Sequence, residues 1–257
     1  MKVNSILTSG VAGLFCAISL MASGGAASAA ENPTSTPSSY MAWLAGQESE
    51  APGGGAAETL QQFKELSADD QVKFLQIISD PEHAANFIKF ASQSTTDVAE
   101  NFKTKSRSVE NVLFESESGE SNAETSAEGT AAPSEAAASD TWQDGYGSFG
   151  AIRAGDRSSW YVKSDKVLGI KVAQVKISIL FHKTTTKIDK IYKAEAGHKN
   201  FVPLSEFSNT KPDTWINAAG VAHASTVWTA KLKTGSSWTA PEEVWSNKTG
   251  GGGGALN

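Results

Sequence analysis

A stretch of 26 residues without one large apolar side chain divides this chain of 257 residues. From Glu115 to Asp140, nearly every residue is Ser, Ala, Glu, Gly or Thr. Such a stretch cannot bury enough surface to offset the entropy lost on ordering, so the sequence predicts a disordered acidic linker over 115–140. The folded parts of the chain must therefore form from the residues on either side of it.

The two sides of this linker differ in charge. Residues 31–140 carry 19 Asp and Glu against 6 Lys and Arg, whereas residues 141–257 carry 9 against 15. The net charge of −6 therefore hides segments of opposite sign, and an intramolecular contact between the acidic and basic segments is one interaction that these charges allow. Nucleic acid is not an expected partner, because the basic excess is modest and the chain has an export signal.

The N-terminus has the features of a secretory signal peptide over residues 1–29. A positive charge at Lys2 precedes a short apolar run, and Ala27-Ser28-Ala29 forms a small-residue cleavage site. The run is too short and too interrupted to span a bilayer, so we predict a secreted, extracellular or cell-surface protein without stable membrane insertion after cleavage. The single cysteine, Cys16, lies inside the run, so the cleaved chain has no disulfide or thiolate site and its fold depends on core packing.

An acidic helical segment is predicted over 40–114, after a disordered leader over 30–39. Ser67 is a good N-cap for apolar residues at helical spacing, and Asp80-Pro81 can end one helix and begin the next. A weaker helix is predicted over 97–114. The apolar residues of the segment make a thin core, so we expect it to be marginal on its own.

Period-two alternation begins beyond the linker and predicts a basic, Trp-rich β-domain over 141–249. Ile170–Val172 and Val175–Phe181 alternate apolar and polar residues, and the phase shift between them predicts a β-bulge at Ala173-Gln174. A second long strand is predicted over 221–232, with Trp228 on its apolar face. Shorter strand candidates, separated by turn signals, lie at 147–153, 159–163, 188–194, 201–207 and 238–245.

These patterns together predict an α+β chain divided by segment. The N-terminal part is a small helical segment, the linker follows, and the C-terminal part is an all-β antiparallel sandwich or partly open barrel. The last residues, 250–257, include five consecutive glycines and are expected to form a flexible glycine-rich tail rather than a fold element.

Aromatic and basic side chains of the β-domain are the candidate ligand-binding residues. Trp215 lies near a turn and Trp245 near the tail, and an exposed indole face can stack on a sugar ring. Lys171 and Lys176 point away from the apolar set of their strand, which predicts a lysine-rich sheet face suited to an anionic polymer. Tryptophans that fill a cysteine-free core and lysines that protect a solvated sheet would give the same patterns.

No motif predicts catalysis, a cofactor or a bound metal. The segment Gly145–Gly150 matches GxGxxG in letters, but it follows the linker and opens no helix. The four histidines are scattered without ligand spacing, and most acids of the β-domain fall at turns. We therefore predict a non-enzymatic protein. The alternative is a hydrolase site assembled in space from two of these acids, or from His182 with His223.

A resemblance to a group of bacterial proteins adds to this picture. The export signal, the acidic helical leader and the region from Trp160 through Val167–Val172 to the glycine-rich end resemble secreted actinobacterial proteins of unassigned function. The resemblance implies no catalytic residues. We predict that the β-domain binds an anionic or carbohydrate polymer of the cell envelope or the extracellular medium. The alternative is a precursor in which residues 31–140 mask a cationic antibacterial or toxin-like β-domain.

Overall fold

Four helices form the N-terminal part of the described chain. In this computed structural model they are α1 (Pro37–Glu50), α2 (Ala56–Glu65), α3 (Ala68–Ser79) and α4 (Pro81–Ala91). The described residues are 32–91, 105–122, 155–233 and 235–254. The predicted signal peptide, linker residues 123–140 and strand candidate 147–153 therefore lie outside them.

The helix starts follow the capping rules. The Thr36 side chain accepts the Ser39 N–H, and Pro37 occupies the first turn, where a missing N–H costs nothing. Ser67 accepts the Asp70 N–H, as predicted for an N-cap. Helix α1 thus begins inside the leader over 30–39 that we expected to be disordered, because cap and proline together define a start there.

Ten strands are described beyond the helices, and every paired neighbour is antiparallel. The strands are β1 (Lys105–Val109), β2 (Val112–Asn122), β3 (Asp156–Val167), β4 (Ile170–Lys183), β5 (Ile188–Asn200), β6 (Ser205–Asn209), β7 (Asp213–Ile216), β8 (Ala222–Leu232), β9 (Ser237–Ser246) and β10 (Gly251–Gly254).

These strands form two sheets. The first sheet has the order β1-β2-β3-β4-β5, and the second has β10-β9-β8-β6, with β7 also paired to β8. No strand pairing among the described residues closes the sheets into a barrel.

The hairpin of β1 and β2 corrects two predictions. Residues 105–114 are not the helix predicted over 97–114, and residues 115–122 continue β2 instead of beginning a disordered linker. Strand β2 alternates small buried serines with glutamates: Ser116 and Ser118 are buried, whereas Glu117 is exposed. The period of two is therefore present, but after the buried Phe114 the inward positions are serines rather than apolar residues.

The two long predicted strands are present at β4 and β8. In β4 the register skips Val172, since Asp165 pairs with Ala173 and Lys166 pairs with Lys171. The bulge therefore lies one residue before the predicted Ala173-Gln174. In β8 the burial alternates residue by residue as predicted, and Trp228 is 1% exposed.

Helices and sheets share their apolar interior. One cluster joins Tyr40, Phe63 and Phe74 of the helices to Val172 and Phe201 of the β-region. The Tyr40 hydroxyl donates a hydrogen bond to the Phe201 carbonyl at 2.8 Å, and burial raises the pKa of this tyrosine. The helices therefore do not rest on a thin core of their own, and the described residues from Asn32 onward fall in one compact unit.

The glycine-rich end forms a strand instead of the flexible tail that we expected. Strand β10 pairs with β9, and Gly252 lies opposite Trp245. A Cβ at Gly251 would lie 2.7 Å from Ser159 Oγ, and one at Gly253 would overlap the Tyr161 side chain. Glycine is required here because the strand approaches β3 too closely for any side chain.

Candidate functional site

A row of three rings crosses the outer face of the second sheet. The register places Trp215 of β7 opposite His223 of β8, and His223 opposite Trp245 of β9. All three belong to the face of the sheet that alternates away from the buried Trp228. Two of the predicted ligand-binding residues, Trp215 and Trp245, therefore flank one histidine.

The hairpin between β7 and β8 sets this register. Its loop follows Asn217 and ends at Gly220, which has φ +74° and donates its N–H to the Asn217 carbonyl. The Asn217 N–H then bonds the Val221 carbonyl. A turn that ends in a glycine at positive φ is a common three-residue hairpin connection, so the loop chemistry fixes which residues face each other.

The indole of Trp215 and the imidazole of His223 are stacked. Their centroids are 4.9 Å apart and their planes differ by 1°. Trp215 remains 40% exposed, which is unusual for a residue of this size, whereas Trp245 is half-buried. The row therefore presents an aromatic surface to solvent.

Hydrogen bonds fix the tautomer of His223. The Asn217 Oδ1 atom accepts the N–H groups of Ala219 and Val221, so the amide nitrogen of Asn217 faces the ring and lies 3.1 Å from His223 Nε2. An amide nitrogen can only donate, so Nε2 accepts and the proton resides on Nδ1, which donates to Glu243 Oε1. Both ring nitrogens are thus engaged in hydrogen bonds, and neither is available as a general base.

The row ends beside a shallow depression of about 280 Å³. Val221 and Asn247 belong to its lining and lie two residues from His223 and Trp245 along the chain. The lining consists of Thr186, Lys187, Ala219, Gly220, Val221, Asn247, Lys248 and Thr249.

The two predicted lysines lie apart from this row. Lys171 and Lys176 are both on β4 of the first sheet and half-buried. Lys171 pairs in register with Lys166, and the Lys176 ammonium lies 6.0 Å from the centroid of the Trp160 ring. The structure thus brings together the two predicted tryptophans but not the two lysines.

Other lysines of the basic segment are engaged with acids. Lys166 pairs with Glu115, and Lys183 lies 3.4 Å from Glu120, both of which belong to β2 of the acidic segment. Lys193 pairs with Glu195. The first two ion pairs join the two oppositely charged parts of the chain, and all three reduce the free positive charge of the first sheet.

A second group of polar residues lies in the interior, under α4. Lys163 is 1% exposed; its ammonium donates to the Ala91 carbonyl and lies 3.8 Å from Glu242 Oε1. Glu242 is fully buried and its Oε2 accepts the Trp228 indole N–H. Burial lowers the pKa of Lys163 and raises the pKa of Glu242, and each partner opposes the shift of the other. Both side chains are therefore closed to solvent, and they link α4, β3 and β9 in the interior.

A second pair of buried polar side chains, His83 and Asp165, also lies under α4. His83 Nε2 lies 2.8 Å from Asp165 Oδ2, and both side chains are nearly inaccessible. Burial raises the pKa of Asp165, while the contact with His83 opposes that shift. Lys163 and Asp165 are two residues apart on β3, so one face of this strand holds both ends of α4.

The histidines considered for hydrolysis belong to separate pairs. His182 on β4 lies 2.8 Å from Asp189, and this contact lowers the pKa of Asp189. His223 is paired with Glu243 on the other sheet. In the described part of the chain no three His, Cys, Asp or Glu side chains are placed to hold a metal ion.

The contacts of His223 with Asn217 and Glu243 were not predicted; the sequence singled out His223 only for the alternative hydrolase site, together with His182. The alternation of β8 does place His223 opposite in phase to Trp228, and Asn217 with Gly220 forms a turn signal. The pairing of β7 with β8 could not be predicted from the sequence, because residues 211–213 also predict a turn and β7 is only four residues long.

No family model, curated protein or solved structure matches this chain. Among the described residues, no helix has the length and apolar character needed to cross a membrane.

Proposed function

We propose that this protein is a secreted bacterial binding protein whose β-domain holds a carbohydrate polymer of the cell envelope or the extracellular medium. The observation that carries the proposal is the exposed aromatic row of Trp215, His223 and Trp245. Indole rings stack on the apolar faces of sugars, and tryptophan dominates binding surfaces because it buries a large area at a small entropy cost.

The geometry of Trp215 favours stacking over a purely structural role. His223 covers one face of the Trp215 indole, and Trp215 keeps 40% of its surface exposed. The tautomer imposed by Asn217 and Glu243 holds His223 in one orientation, which in turn supports the indole. A ring held in place before the ligand arrives loses less entropy on binding.

A sandwich arrangement of the two sheets is part of this proposal. Tyr161, Val175 and Ile177 of the first sheet share an apolar cluster with Trp228 and Val244 of the second. Such a shared interior supports two layers packed face to face, with the aromatic row on the outer side of one layer.

The precursor hypothesis has less support from the geometry. Removal of residues 31–140 would take away α1 to α4 and also the hairpin of β1 and β2, of which β2 pairs with β3 along its length. The same cleavage would uncover Lys163 and Asp165, both of which are buried beneath α4. A mature domain without these elements would expose apolar surface and unpaired charges.

The test is retention on insoluble polysaccharides. Secreted full-length protein is incubated with cellulose, chitin, mannan and purified bacterial sacculi, and Trp215→Ala is compared with wild type. Loss of an anchoring tryptophan at a binding surface costs about 2 kcal/mol, or roughly a 30-fold weaker Kd. Tyr192→Ala is the matched control, since Tyr192 is 45% exposed on the first sheet. Retention of Trp215→Ala equal to that of wild type, or no retention of wild type on any of the polymers, overturns the proposal.

A further inference from the structure

We propose that the polymer bound at the aromatic row is an acidic one, and that Lys187 and Lys248 bind its anionic groups in the adjoining depression. This inference rests on the proposed function and names the chemical class of the ligand. Its basis is the position, the charge and the rigid frame of the depression.

The depression lies beside the aromatic row, at the end of the sheet where β8 begins and β9 ends. Val221 precedes His223 by two residues, and Asn247 follows Trp245 by two. The lining residues therefore adjoin two of the three rings along the chain. A volume of about 280 Å³ is at the lower end of ligand pockets and suits one substituted sugar unit rather than an oligosaccharide.

The charge of the lining is entirely positive. Lys187 and Lys248 are its only charged residues, both are exposed, and neither forms a salt bridge within the described part of the chain. Asp189, two residues beyond Lys187, is paired with His182, and the charge of Lys187 makes a smaller contribution to the lowered pKa of Asp189. By contrast, Lys166, Lys183 and Lys193 are neutralised by glutamates. An anion in the depression would therefore meet two ammonium groups without competition from an acid of the lining.

Two asparagines hold the walls of the depression. Asn217 Oδ1 accepts two backbone N–H groups of one wall, those of Ala219 and Val221. Asn247 Oδ1 accepts the N–H groups of Thr249 and Gly250 in the other wall, at 2.7 and 3.0 Å. The backbone that carries Lys248 is thus ordered by local hydrogen bonds before any ligand binds.

The position of the lysines also explains why charge and aromatic rings occur together here. A sugar stacked on the row would direct substituents of the neighbouring unit toward the depression. Carboxylate, phosphate or sulfate groups on that unit would form charge-assisted hydrogen bonds with the lysines. A neutral polymer would gain nothing from them.

The experiment compares acidic polymers with neutral forms of the same backbone. Polygalacturonate and hyaluronate are paired with their methyl esters, and binding is measured by calorimetry at low and high salt. We expect wild type to bind at least one acid about tenfold or more tightly than its ester, with an affinity that falls as salt rises. The variant Lys187→Gln/Lys248→Gln should lose this preference, while Lys190→Gln/Lys233→Gln, which removes the same charge elsewhere, should keep it.

The outcomes separate the inference from the proposed function. If the Lys187→Gln/Lys248→Gln variant keeps the preference for the acid, or if wild type binds ester and acid equally, the inference is wrong while the sugar-binding function stands. If wild type binds neither form of either polymer, the inference is also wrong. If Trp215→Ala binds every probe as wild type does, the proposed function itself fails.

Discussion

The buried pair of Lys163 and Glu242 offers the sharpest test of how the interior is held together. The pair links β3 of the first sheet to β9 of the second, and the lysine also bonds the last carbonyl of α4 at Ala91. Lys163→Met keeps the length of the apolar stem but leaves the Glu242 carboxylate buried without its counter-charge. Glu242→Gln keeps an acceptor for the Trp228 N–H but leaves the Lys163 ammonium unpaired.

Each single change should cost several kcal/mol. Removal of one partner from a buried ion pair typically destabilises by about 3–5 kcal/mol, because the remaining charge stays in a poorly solvating interior. For a folded unit of this size, that corresponds to about 2–4 °C of Tm for each kcal/mol. Lys166→Met is the matched control: Lys166 is 28% exposed in its pair with Glu115, and such pairs contribute about 1 kcal/mol or less.

The two variants should respond to pH in opposite directions. In Lys163→Met, the pKa of Glu242 rises further above the usual glutamate value of 4.5, because the lysine that opposed the rise is gone. A raised folded pKa favours the fold at low pH, so this variant should recover stability as pH falls toward 4.5. In Glu242→Gln, the pKa of Lys163 falls further below the usual lysine value of 10.5. That variant should recover stability as pH rises toward 10.5.

Urea unfolding followed by tryptophan fluorescence at pH 5, 7 and 9 measures these effects. The double variant Lys163→Met/Glu242→Gln should lose less than the sum of the single losses, since neither buried charge remains. Losses below about 1 kcal/mol in both single variants, or pH slopes of the same sign, would refute the assignment of a buried, charge-compensated pair.

Two further predictions concern the second sheet. Gly253→Ala should lower the urea midpoint, because its new Cβ would overlap Tyr161, whereas Gly250→Ala has no atom within 4 Å of the new Cβ and should leave the midpoint unchanged; equal midpoints for both variants would contradict the packed strand β10. In ¹⁵N spectra at neutral pH, His223 should show a protonated Nδ1 and an unprotonated Nε2, and Asn217→Ala should weaken that preference; a dominant Nε2–H form in wild type would refute the hydrogen-bond assignment.

The long strands could be predicted because their burial follows the apolar pattern. Strand β8 alternates residue by residue, and its buried face is the one that carries Trp228. The bulge of β4 was expected from the phase shift and lies one residue away, at Val172. Both features are local, since they depend on the order of apolar and polar residues within one strand.

Strand β2 shows why strands without an apolar pattern could not be predicted in the same way. Its inward positions include Ser116 and Ser118, which are small enough to be buried beside neighbouring backbone but give no apolar signal. The glycines of β10 carry no pattern at all. In both cases the strand exists because a partner strand is present, and that pairing joins residues far apart in sequence.

The candidate site shows the same division between local and non-local information. The exposure of Trp215 was predicted from its position near a turn, a local signal. Its stacking on His223 depends on the register of β7 with β8, and the place of Trp245 depends on the register of β8 with β9. The prediction of Lys171 and Lys176 rests on alternation alone, which gives the face of a strand but not which sheet carries the exposed aromatic row.

The glycine strand and the aromatic row belong to one arrangement. On its inner side, β10 fits against Tyr161 only because it has no side chains. On its outer side, Gly252 lies opposite Trp245, so no side chain of β10 stands beside that indole. Four adjacent strands, β7, β8, β9 and β10, at a spacing of about 4.8 Å make a surface about 14 Å across, from Trp215 to the glycine edge. Under the proposed function, a surface open at the β10 side leaves room for a polymer that extends past Trp245, whereas a side chain on β10 would narrow it there.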